Sequence, residues 1–400
     1  MIVFDMRHKK NILMISQAAF PPDIRLEKEI KSLSEAGYKV LVICNQYNKE
    51  LNITFEYCEI KRVNALFKSV KLNRIINFPI FINPRFLLTV FNSIVRFKPE
   101  FIHAHDLPMV PVALIFGKLF RIPIIFDMHE NYPEALKAFQ KKGIINFLFK
   151  NYKAAKLLEK FCIKKSDAII TVVEENSERL IKQGVESKKI YLVSNTVDLN
   201  TFSVEPIDEN ITEQYKDKVL LLYAGYVTPE RGLDVVLRGI SYLKNKLPEI
   251  KLLIIGNGIS VPSLKKTSTD LSLNDFVEFI EWPGHDKLSS YFKVARIFIS
   301  PQPQCEFWDT TIPHKLFEYM SQSKPVLAAD SKAIKRVIEE TNSGMTYKTA
   351  NPEDFSAKLL EILSSNVPFG ENGLKAVKQT YNWEKDSQVL IELYKDFELK

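Results

Sequence analysis

The sequence predicts an α/β protein with two doubly wound parallel-sheet domains in tandem. Short apolar segments of strand length alternate with amphipathic segments of helix length, a pattern typical of parallel sheets. The alternation runs through the first half of the 400-residue chain and restarts at residue 219, after a polar stretch at 204–216. A chain of this length accommodates two or three domains of ordinary size.

The first half opens with a strand, a helix and a second strand. An apolar segment at 11–16 precedes a predicted helix at 25–36, and Gly37 ends that helix before the strand at 39–43. The loop after the first strand lacks the GxGxxG pattern, and GxxxxGK[ST] does not occur in the chain. A dinucleotide dehydrogenase or a P-loop enzyme is therefore not expected.

Two later strands of the first half run into polar residues. They end in His103, His105 and Asp106 and in His129 and Glu130, respectively. Ligands of open parallel sheets lie beyond the carboxyl ends of the strands, so these polar ends should line one crevice. The first three are metal ligands by type, but a metal is disfavoured because no third histidine or cysteine follows nearby.

The second half repeats the alternation, with strands predicted at 219–224, 251–255, 276–280 and 296–300. After the first of them, Gly225 leads to a predicted helix with Thr228 as cap, Pro229 in its first position and Arg231 in its first turn. Free N–H groups and the positive end of the helix dipole make such a turn suitable for an anion. The stretch from Gly256 to Gly258 is another tight strand exit, although GxG alone is a weak signal.

The stretch 310–320 lies between two apolar strands and should begin a helix at a strand end. Pro313 fits the first turn of that helix, and Thr310 or Thr311 is its expected cap.

Lys315 and Glu318 of this stretch lie three residues apart and share one face of the predicted helix. A lysine for phosphate charge and a carboxylate that accepts from two vicinal hydroxyls fit a nucleotide sugar. An ordinary surface salt bridge has the same spacing. The pair alone leaves both interpretations open.

The composition is that of an ordinary globular chain, with 46% hydrophobic and 26% charged residues. Four scattered cysteines form no CxxC pair, as expected in a reducing compartment without a zinc site. The first residues lack a signal-peptide core, and the apolar run at 110–120 includes Lys118 and is too short to span a bilayer. The expected location is cytoplasmic.

The net charge of +7 is unevenly distributed, with +11 in residues 1–200 and −4 in residues 201–400. Between Lys137 and Lys165, nine lysines and a single acid, Glu159, are interleaved with apolar and aromatic residues. The stretch 67–86 has a similar mixture.

This mixture of basic and apolar residues is typical of a surface that lies on anionic lipid, and a solvated helix face is the alternative. Nucleic acid is not expected as a partner, because the aromatic residues cluster with aliphatic ones and form no stacking platform.

Several short motifs, in their order and spacing, resemble those of family 4 glycosyltransferases with the GT-B fold. Each motif is modest alone, and together they extend over almost the full chain. They are FPPDIR at 20–25, IHAHD at 102–106, FDMHE at 126–130, SNTVD at 194–198, YAG at 223–225, ERG at 230–232 and KLFEYM at 315–320.

The resemblance implies two Rossmann-like domains that face each other across a cleft. It assigns acceptor binding to residues 1–203, a linker to 204–217 and nucleotide-sugar binding to 218–380, with a helix at 381–400 that returns to the first domain. The implied reaction is transfer of a sugar from an NDP-sugar with retention of anomeric configuration. No metal or other cofactor is implied.

The resemblance also assigns roles to single residues. Of the expected catalytic residues, Glu318 holds the ribose hydroxyls, Arg231 holds the diphosphate and His129 meets the donor sugar. Fixed cations near the diphosphate stabilise the charge that grows there in the transition state. The expected nucleotide-sugar site comprises Gly225, Tyr226, Arg231, Gly256, Asn257, Asp309, Thr310, Thr311, His314, Lys315, Leu316 and Glu318. The expected acceptor side comprises Arg25, His103, Asp106 and Glu130.

Three features depart from the family pattern. Thr310, with Asp309 beside it, stands where the usual Glu-x7-Glu pair has its first glutamate, and Tyr226 stands where many members have an arginine. The glycine-rich loop after the first strand is replaced at 18–22, where Arg25 is the expected substitute anion contact. Thr310 indicates either a different donor sugar, the favoured interpretation, or lost activity.

The predicted function is transfer of a sugar to a glycan or lipid-linked saccharide in bacterial surface polysaccharide or glycolipid synthesis. The protein would act in the cytoplasm, peripherally on the inner face of the cell membrane. Two alternatives stay open: a nucleotide-sugar epimerase of the same architecture, and a catalytically silent partner that binds nucleotide or glycan, which Thr310 motivates.

Overall fold

The computed structural model describes residues 10–46, 53–67, 73, 83–139, 151–202 and 207–399. The chain divides into two compact units. The first unit comprises Met1–Ser194 and Asp386–Lys400, and the second comprises Asn195–Lys385.

The first unit contains a seven-stranded parallel sheet with the order β3-β2-β1-β4-β5-β6-β7. Its strands are β1 (Asn11–Ile15), β2 (Lys39–Gln46), β3 (Glu59–Asn64), β4 (Phe101–His105), β5 (Ile124–Met128), β6 (Ala168–Thr171) and β7 (Ile190–Leu192). Its helices are α1 (Ile24–Glu35), α2 (Pro84–Phe97), α3 (Val110–Phe120), α4 (Tyr132–Ala138), α5 (Tyr152–Lys165) and α6 (Glu174–Lys182).

Helix α1 begins directly after Asp23, whose side chain caps the helix by accepting a hydrogen bond from the amide of Leu26. Strands β1, β4 and β5 are buried along almost their whole length, as expected for strands covered on both faces. They are neighbours in the sheet, and β4 pairs with β5 up to His105 and Asp127. The polar residues that end these strands therefore lie side by side.

The second unit contains a six-stranded parallel sheet with the order β10-β9-β8-β11-β12-β13. Its strands are β8 (Val219–Ala224), β9 (Ile250–Ile255), β10 (Val277–Ile280), β11 (Ile297–Ser300), β12 (Val326–Ala329) and β13 (Gly344–Tyr347). The helices that follow β7 are α7 (Leu199–Phe202), α8 (Glu209–Tyr215), α9 (Leu233–Leu243), α10 (Val261–Asp270), α11 (His285–Val294), α12 (His314–Ser321), α13 (Lys332–Thr341), α14 (Pro352–Ser364), α15 (Phe369–Gln379) and α16 (Trp383–Glu398).

The predicted pair of Rossmann-like parallel-sheet domains is confirmed. In the second unit β8 lies between β9 and β11, so the loops after these three strands meet at one edge of the sheet.

The boundaries of the units differ from the predicted ones. The predicted linker at 204–217 includes helix α8, which belongs to the second unit. Asp208 accepts from the amide of Asn210 at its start, and Ile211 and Tyr215 are buried. This helix forms because its polar sequence still has two apolar residues on one face.

The final helix α16 contributes to both units, because residues up to Lys385 belong to the second and those from Asp386 belong to the first. Within the first unit, Tyr394 is fully buried and its ring lies 5.1 Å from that of Phe101. In the described parts of the chain, no helix has both the length and the apolar character that a membrane span requires.

Candidate functional site

In the second unit, two glycines bring the strand exits after β8 and β9 into close contact. Gly225 and Gly256 have φ values of 152° and 136°, which disfavour any residue with a side chain. A Cβ atom on Gly256 would overlap the carbonyl oxygen of Gly225, and one on Gly225 would lie 3.3 Å from Cε of Lys315. Glycine at position 225 therefore lets the side chain of Lys315 pack against the backbone after β8.

Two cations lie near this glycine turn. Arg231 ends a short 3-10 turn, Pro229–Arg231, and its guanidinium carbon is 4.7 Å from the ring centroid of Trp308. The Nζ atom of Lys315 lies 5.4 Å from the ring centroid of Trp282. Aromatic faces stabilise cations at such distances.

The charges of this region are not balanced. Burial lowers the pKa of Lys315, the nearby carboxylate of Glu318 opposes this shift, and the charge of Arg231 adds a smaller lowering. The Nε atom of Arg231 is buried without a hydrogen-bond partner among the described residues. Two cations near a single carboxylate and a tight backbone turn suit an anion such as a diphosphate.

Glu318 lies on α12, one turn after His314, whose Nε2 is 3.5 Å from Glu318 Oε1. Glu318 is buried, with 9% of its surface exposed. Leu316 on the same helix is fully buried in the core and offers no side chain to a ligand.

The predicted caps of two turns are wrong. Pro313 is the N-cap of α12 and not part of its first turn, and no side chain caps that helix. Thr310 instead donates its hydroxyl hydrogen to the carbonyl of Glu306 at 2.7 Å, within the preceding turn. Thr228 likewise makes no cap bond, and a 3-10 turn stands where the first turn of an α-helix was predicted. In both places the backbone forms a short local turn, and the predicted capping hydrogen bond is not made.

The other predicted donor-site residues are placed as follows. Asp309 accepts from the amide of Lys332 at 2.9 Å, so its carboxylate stabilises the start of α13. Thr311 is buried, and the side chain of Tyr226 is 75% exposed. The carbonyl of Asn257 accepts from the amide of Val227 at 3.1 Å, which joins the two strand exits.

In the first unit, the ends of β4 and β5 and the start of α1 bring charged residues together. Arg25 donates to Asp127 through two nitrogens, Nε to Oδ2 at 3.2 Å and NH2 to Oδ1 at 3.0 Å. It also donates to the carbonyl of Val193 at 3.0 Å, and its Nε lies 2.9 Å from Oε1 of Glu29. Arg25 was expected to contact an anionic ligand, but these internal partners give it a different role as a buried ion pair.

His129 lies at the edge of this group and is 21% exposed. Its Nε2 is 2.8 Å from Asp127 Oδ2, and its Nδ1 is 3.6 Å from Asp106 Oδ2. Burial by itself would lower the pKa of His129, but the charges of Asp127 and Asp106 outweigh burial and raise it to about 10. Glu130, next in the chain, is half-buried.

His103 and His105 lie deeper. Their rings stack 4.4 Å apart, and His103 Nδ1 is 2.7 Å from the hydroxyl oxygen of Tyr394. Burial lowers the pKa of both histidines, that of His105 to about 3. His103 is inaccessible to an acceptor, contrary to its expected place on the acceptor side.

Four potential metal-ligating atoms of Glu29, His103, His105 and Asp127 lie within 4.8 Å of one another. Arg25 already contacts both carboxylates, so its guanidinium occupies the place of a cation and would repel another. These residues form a charge-balanced ionic network, and the metal-independent reaction stays a prediction.

Three residues that organise these two groups of side chains were not predicted from the sequence. Trp308 donates its indole hydrogen to the carbonyl of Glu230 at 3.1 Å and supports Arg231, and Asp127 and Tyr394 organise the histidines. Asp127 follows a predicted buried strand directly, and that position is the signal that could have identified it. Trp308 and Tyr394 have no such signal, because their partners are far away in the sequence.

Two family models match the chain. Glycosyltransferase Family 4 matches residues 26–201, and Glycosyl transferases group 1 matches residues 204–383. Between them they extend over most of both compact units.

Curated relatives are distant. A sulfoquinovosyl transferase of Arabidopsis thaliana is 26% identical over 74% of this chain and 56% of its own length. A D-inositol 3-phosphate glycosyltransferase of Streptomyces bingchenggensis is 20% identical over 74% of this chain and 66% of its own. The chain thus spans about three fifths of the length of these relatives.

Solved structures share the fold over almost the whole chain. A sucrose-phosphate synthase from Thermosynechococcus elongatus has a TM-score of 0.78 at 16% identity, with 97% of this chain and 99% of that one covered. The Anabaena protein HepE in complex with UDP has a TM-score of 0.72 at 14% identity, with coverages of 97% and 100%. With both family models matched, the chain belongs to the family 4 glycosyltransferases of the GT-B fold.

Proposed function

We propose that this glycosyltransferase moves a sugar from a nucleoside-diphosphate sugar to a glycan or lipid-linked saccharide, with retention of configuration and without a metal ion. The observation that supports it best is the unbalanced pair of Arg231 and Lys315 beside the glycine turn of the second unit. A diphosphate supplies the missing negative charge. Glu318, on the same helix as Lys315, is the group for the ribose hydroxyls.

The cations also suit the chemistry. Negative charge grows on the diphosphate as the sugar–phosphate bond breaks, so fixed cations stabilise the transition state more than the ground state. A related structure holds UDP, which makes UDP-sugars the first donors to test.

The test is a thermal-shift screen of the full chain against UDP, GDP, ADP, CMP and their sugars, since a ligand that binds only the folded state raises Tm. We expect a shift with one nucleotide class that is lost in Glu318→Ala, while the Tm of the free variant stays close to that of the wild type. Glu353→Ala, an exposed glutamate of α14 in the same unit, is the matched control.

No shift with any nucleotide would contradict the proposal and favour the silent-partner alternative. A Tm collapse in free Glu318→Ala would show that Glu318 is structural. Hydrolysis of the bound donor without acceptor would separate an enzyme from a scaffold.

We further propose that the acceptor is reached at an anionic membrane surface. Of the predicted basic stretches, residues 68–72, 74–82 and 140–150 lie outside the described residues. Three neighbouring helices of the first unit support the proposal: α2, α3 and α5 pack on one shared core, and the rings of Phe91 and Phe120 lie 5.8 Å apart. Their outward faces expose large apolar side chains by 40–70%: Leu88, Phe91, Val95, Ile115, Leu119, Leu157 and Phe161.

The charges of these helices are almost all positive. Their one acid, Glu159, is buried and paired with Arg179 at 2.8 Å. Exposed cations on the same helices include Arg85, Arg96, Lys118, Lys153 and Lys160. Apolar side chains among unopposed cations match the interface of an anionic bilayer.

Vesicle co-sedimentation tests this surface. We expect binding to vesicles with anionic lipid, weaker binding to neutral vesicles, and loss of binding in Leu119→Glu/Leu157→Glu. Ile259→Glu, at an exposed position of the second unit, is the control that should bind normally. Equal binding of the double variant and the wild type would contradict the proposal.

A further inference from the structure

The backbone of Asp106 has an unusual conformation. Its φ of 65° and ψ of 156° lie in a region that favours glycine. The amide of Asp106 donates to the carbonyl of Asp127 at 3.0 Å, which holds this conformation. The result is a carboxylate 3.6 Å from Nδ1 of His129, at the exposed edge of the network. Strain of this kind persists where the arrangement it produces is used.

The opposite side of the His129 ring faces the buried network. Its Nε2 lies 2.8 Å from Asp127 Oδ2 and 3.2 Å from Nδ1 of His105. Burial by itself would raise the pKa of Asp127, but Arg25 and His129 hold it well below its usual value. Asp127 therefore stays ionised and accepts a hydrogen from His129 without taking the proton.

The charges around His129 come from three elements. Asp127 on β5 and Asp106 after β4 attract a proton to the ring, and Arg25 on α1 opposes them. His103 and His105 on β4 are kept neutral by burial, and Glu29 on α1 has a raised pKa because it is buried beside Asp127. The two anions in direct contact with the ring outweigh the one cation, which is itself bound to Asp127.

We propose that Asp127 and Arg25 are positioning residues that keep His129 doubly protonated, so that it acts as a fixed cation and hydrogen-bond donor toward a substrate oxygen and not as a general base. Asp106 completes the site: its carboxylate accepts from a substrate hydroxyl beside the imidazolium. A sugar hydroxyl satisfies both groups at once, because it donates to one and accepts from the other.

This inference rests on the proposed transfer reaction for its consequence. With no base on His129, the proton of the acceptor hydroxyl passes to the departing diphosphate oxygen. The anomeric carbon exchanges its bond to that oxygen for a bond to the acceptor oxygen, so atoms and charge balance without a protein base.

The first test does not need activity. Histidine side-chain NMR of the full chain, with the signal of His129 assigned through His129→Asn, follows its protonation from pH 5.5 to 8.5. We expect His129 to keep the shifts of an imidazolium throughout. Titration near pH 6.5 would overturn the proposal whether or not a donor has been found.

The second test uses the pH dependence of kcat/KM. For the wild type, kcat/KM should not fall through deprotonation of His129 at any pH up to 8.5. Asp127→Asn and Asp106→Asn remove one anion each, so His129 should deprotonate within this range and kcat/KM should fall by about tenfold per pH unit above the new pKa. Asp217→Asn, an exposed position of the second unit, should keep the wild-type profile.

If Asp127→Asn does not fold, Asp106→Asn still decides the test, because Asp106 is partly exposed and asparagine has almost the same shape as aspartate. A purely structural role would lower the rate at all pH values equally. An unchanged profile in Asp106→Asn together with wild-type histidine shifts would overturn the proposal.

Discussion

The charged side chains at the polar edges of the two sheets differ in how far the protein itself compensates their charge. In the first unit, Arg25 and His129 face Asp127 at 3.0 and 2.8 Å, so the buried charges are compensated within the fold. In the second unit, Arg231 and Lys315 repel each other and Arg231 Nε has no partner among the described residues. The first edge is completed by the chain itself, whereas the second leaves charge for a ligand to complete. Substitutions should therefore cost stability at the first edge and affinity at the second.

The largest effect on stability is expected for Arg25→Ala. It removes the guanidinium that donates twice to buried Asp127 and contacts buried Glu29, and breaking such a buried ion pair costs about 3–5 kcal/mol of unfolding free energy. Arg96→Ala, an exposed arginine of α2, should change it by less than about 0.5 kcal/mol. Chemical denaturation measures both, and similar values would mean that the network contributes nothing to stability.

Tyr394→Phe is expected to have the next largest effect. It removes the hydroxyl 2.7 Å from His103 Nδ1 and leaves that buried nitrogen unsatisfied, at a cost of about 1–3 kcal/mol. Tyr242→Phe, on the exposed surface of α9, is the matched control. Equal unfolding free energies of the two variants would show that His103 does not need this partner.

The first edge should also set the pH dependence of stability. The pKa of His105 is about 3 in the folded chain and near 6.5 when unfolded, so the unfolded state binds more protons and stability falls as pH decreases from 6.5 toward 3. The pKa of His129 is about 10, so its contribution is complete below pH 6.5 and is lost as pH rises toward 10.

Denaturation at pH 4.5, 6.5 and 9 measures both sides of this optimum. Asp106→Asn should flatten the alkaline side, since the Asp106 carboxylate contacts His129 and helps to keep its ring protonated. Constant stability from pH 4.5 to 9 would contradict the assigned protonation states.

The smallest effect on stability is expected at the second edge. Lys315→Gln removes a cation that is already partly desolvated and repelled by Arg231, so its unfolding free energy should stay within about 0.5 kcal/mol of wild type. Its affinity for the nucleoside diphosphate should fall about tenfold, because a charge-assisted contact is lost. Lys375→Gln, at an exposed position, is the control in both measurements. If Lys315→Gln lost stability and kept its affinity for the nucleotide, the second edge would behave as we expect of the first.

The fold was largely predictable because its signals are local. Apolar runs and amphipathic helices follow one another regularly, and both sheets form as those patterns indicate. The errors occurred where neighbouring residues compete. Thr310 bonds back to Glu306 instead of capping α12, and Ile211 and Tyr215 turn a predicted linker into a helix.

The site was predictable only in part, for a different reason. Motifs drew attention to Arg231, Lys315 and Glu318, which lie near each other. In the first unit, by contrast, the contacts that organise the polar residues join distant parts of the chain: Arg25 and Asp127 are 102 residues apart, and His103 and Tyr394 are 291 apart. Contacts of this range leave no periodicity or spacing in a single sequence.

The division of the chain also has a consequence for its synthesis on the ribosome. The second unit is one continuous segment, Asn195–Lys385, but the first is interrupted and needs Asp386–Lys400. Translation therefore releases everything the second unit requires before His103 can receive the Tyr394 hydroxyl. The part of the protein that is made first is the last to be finished, so a ribosome that stalls late leaves a complete second unit attached to an incomplete first unit.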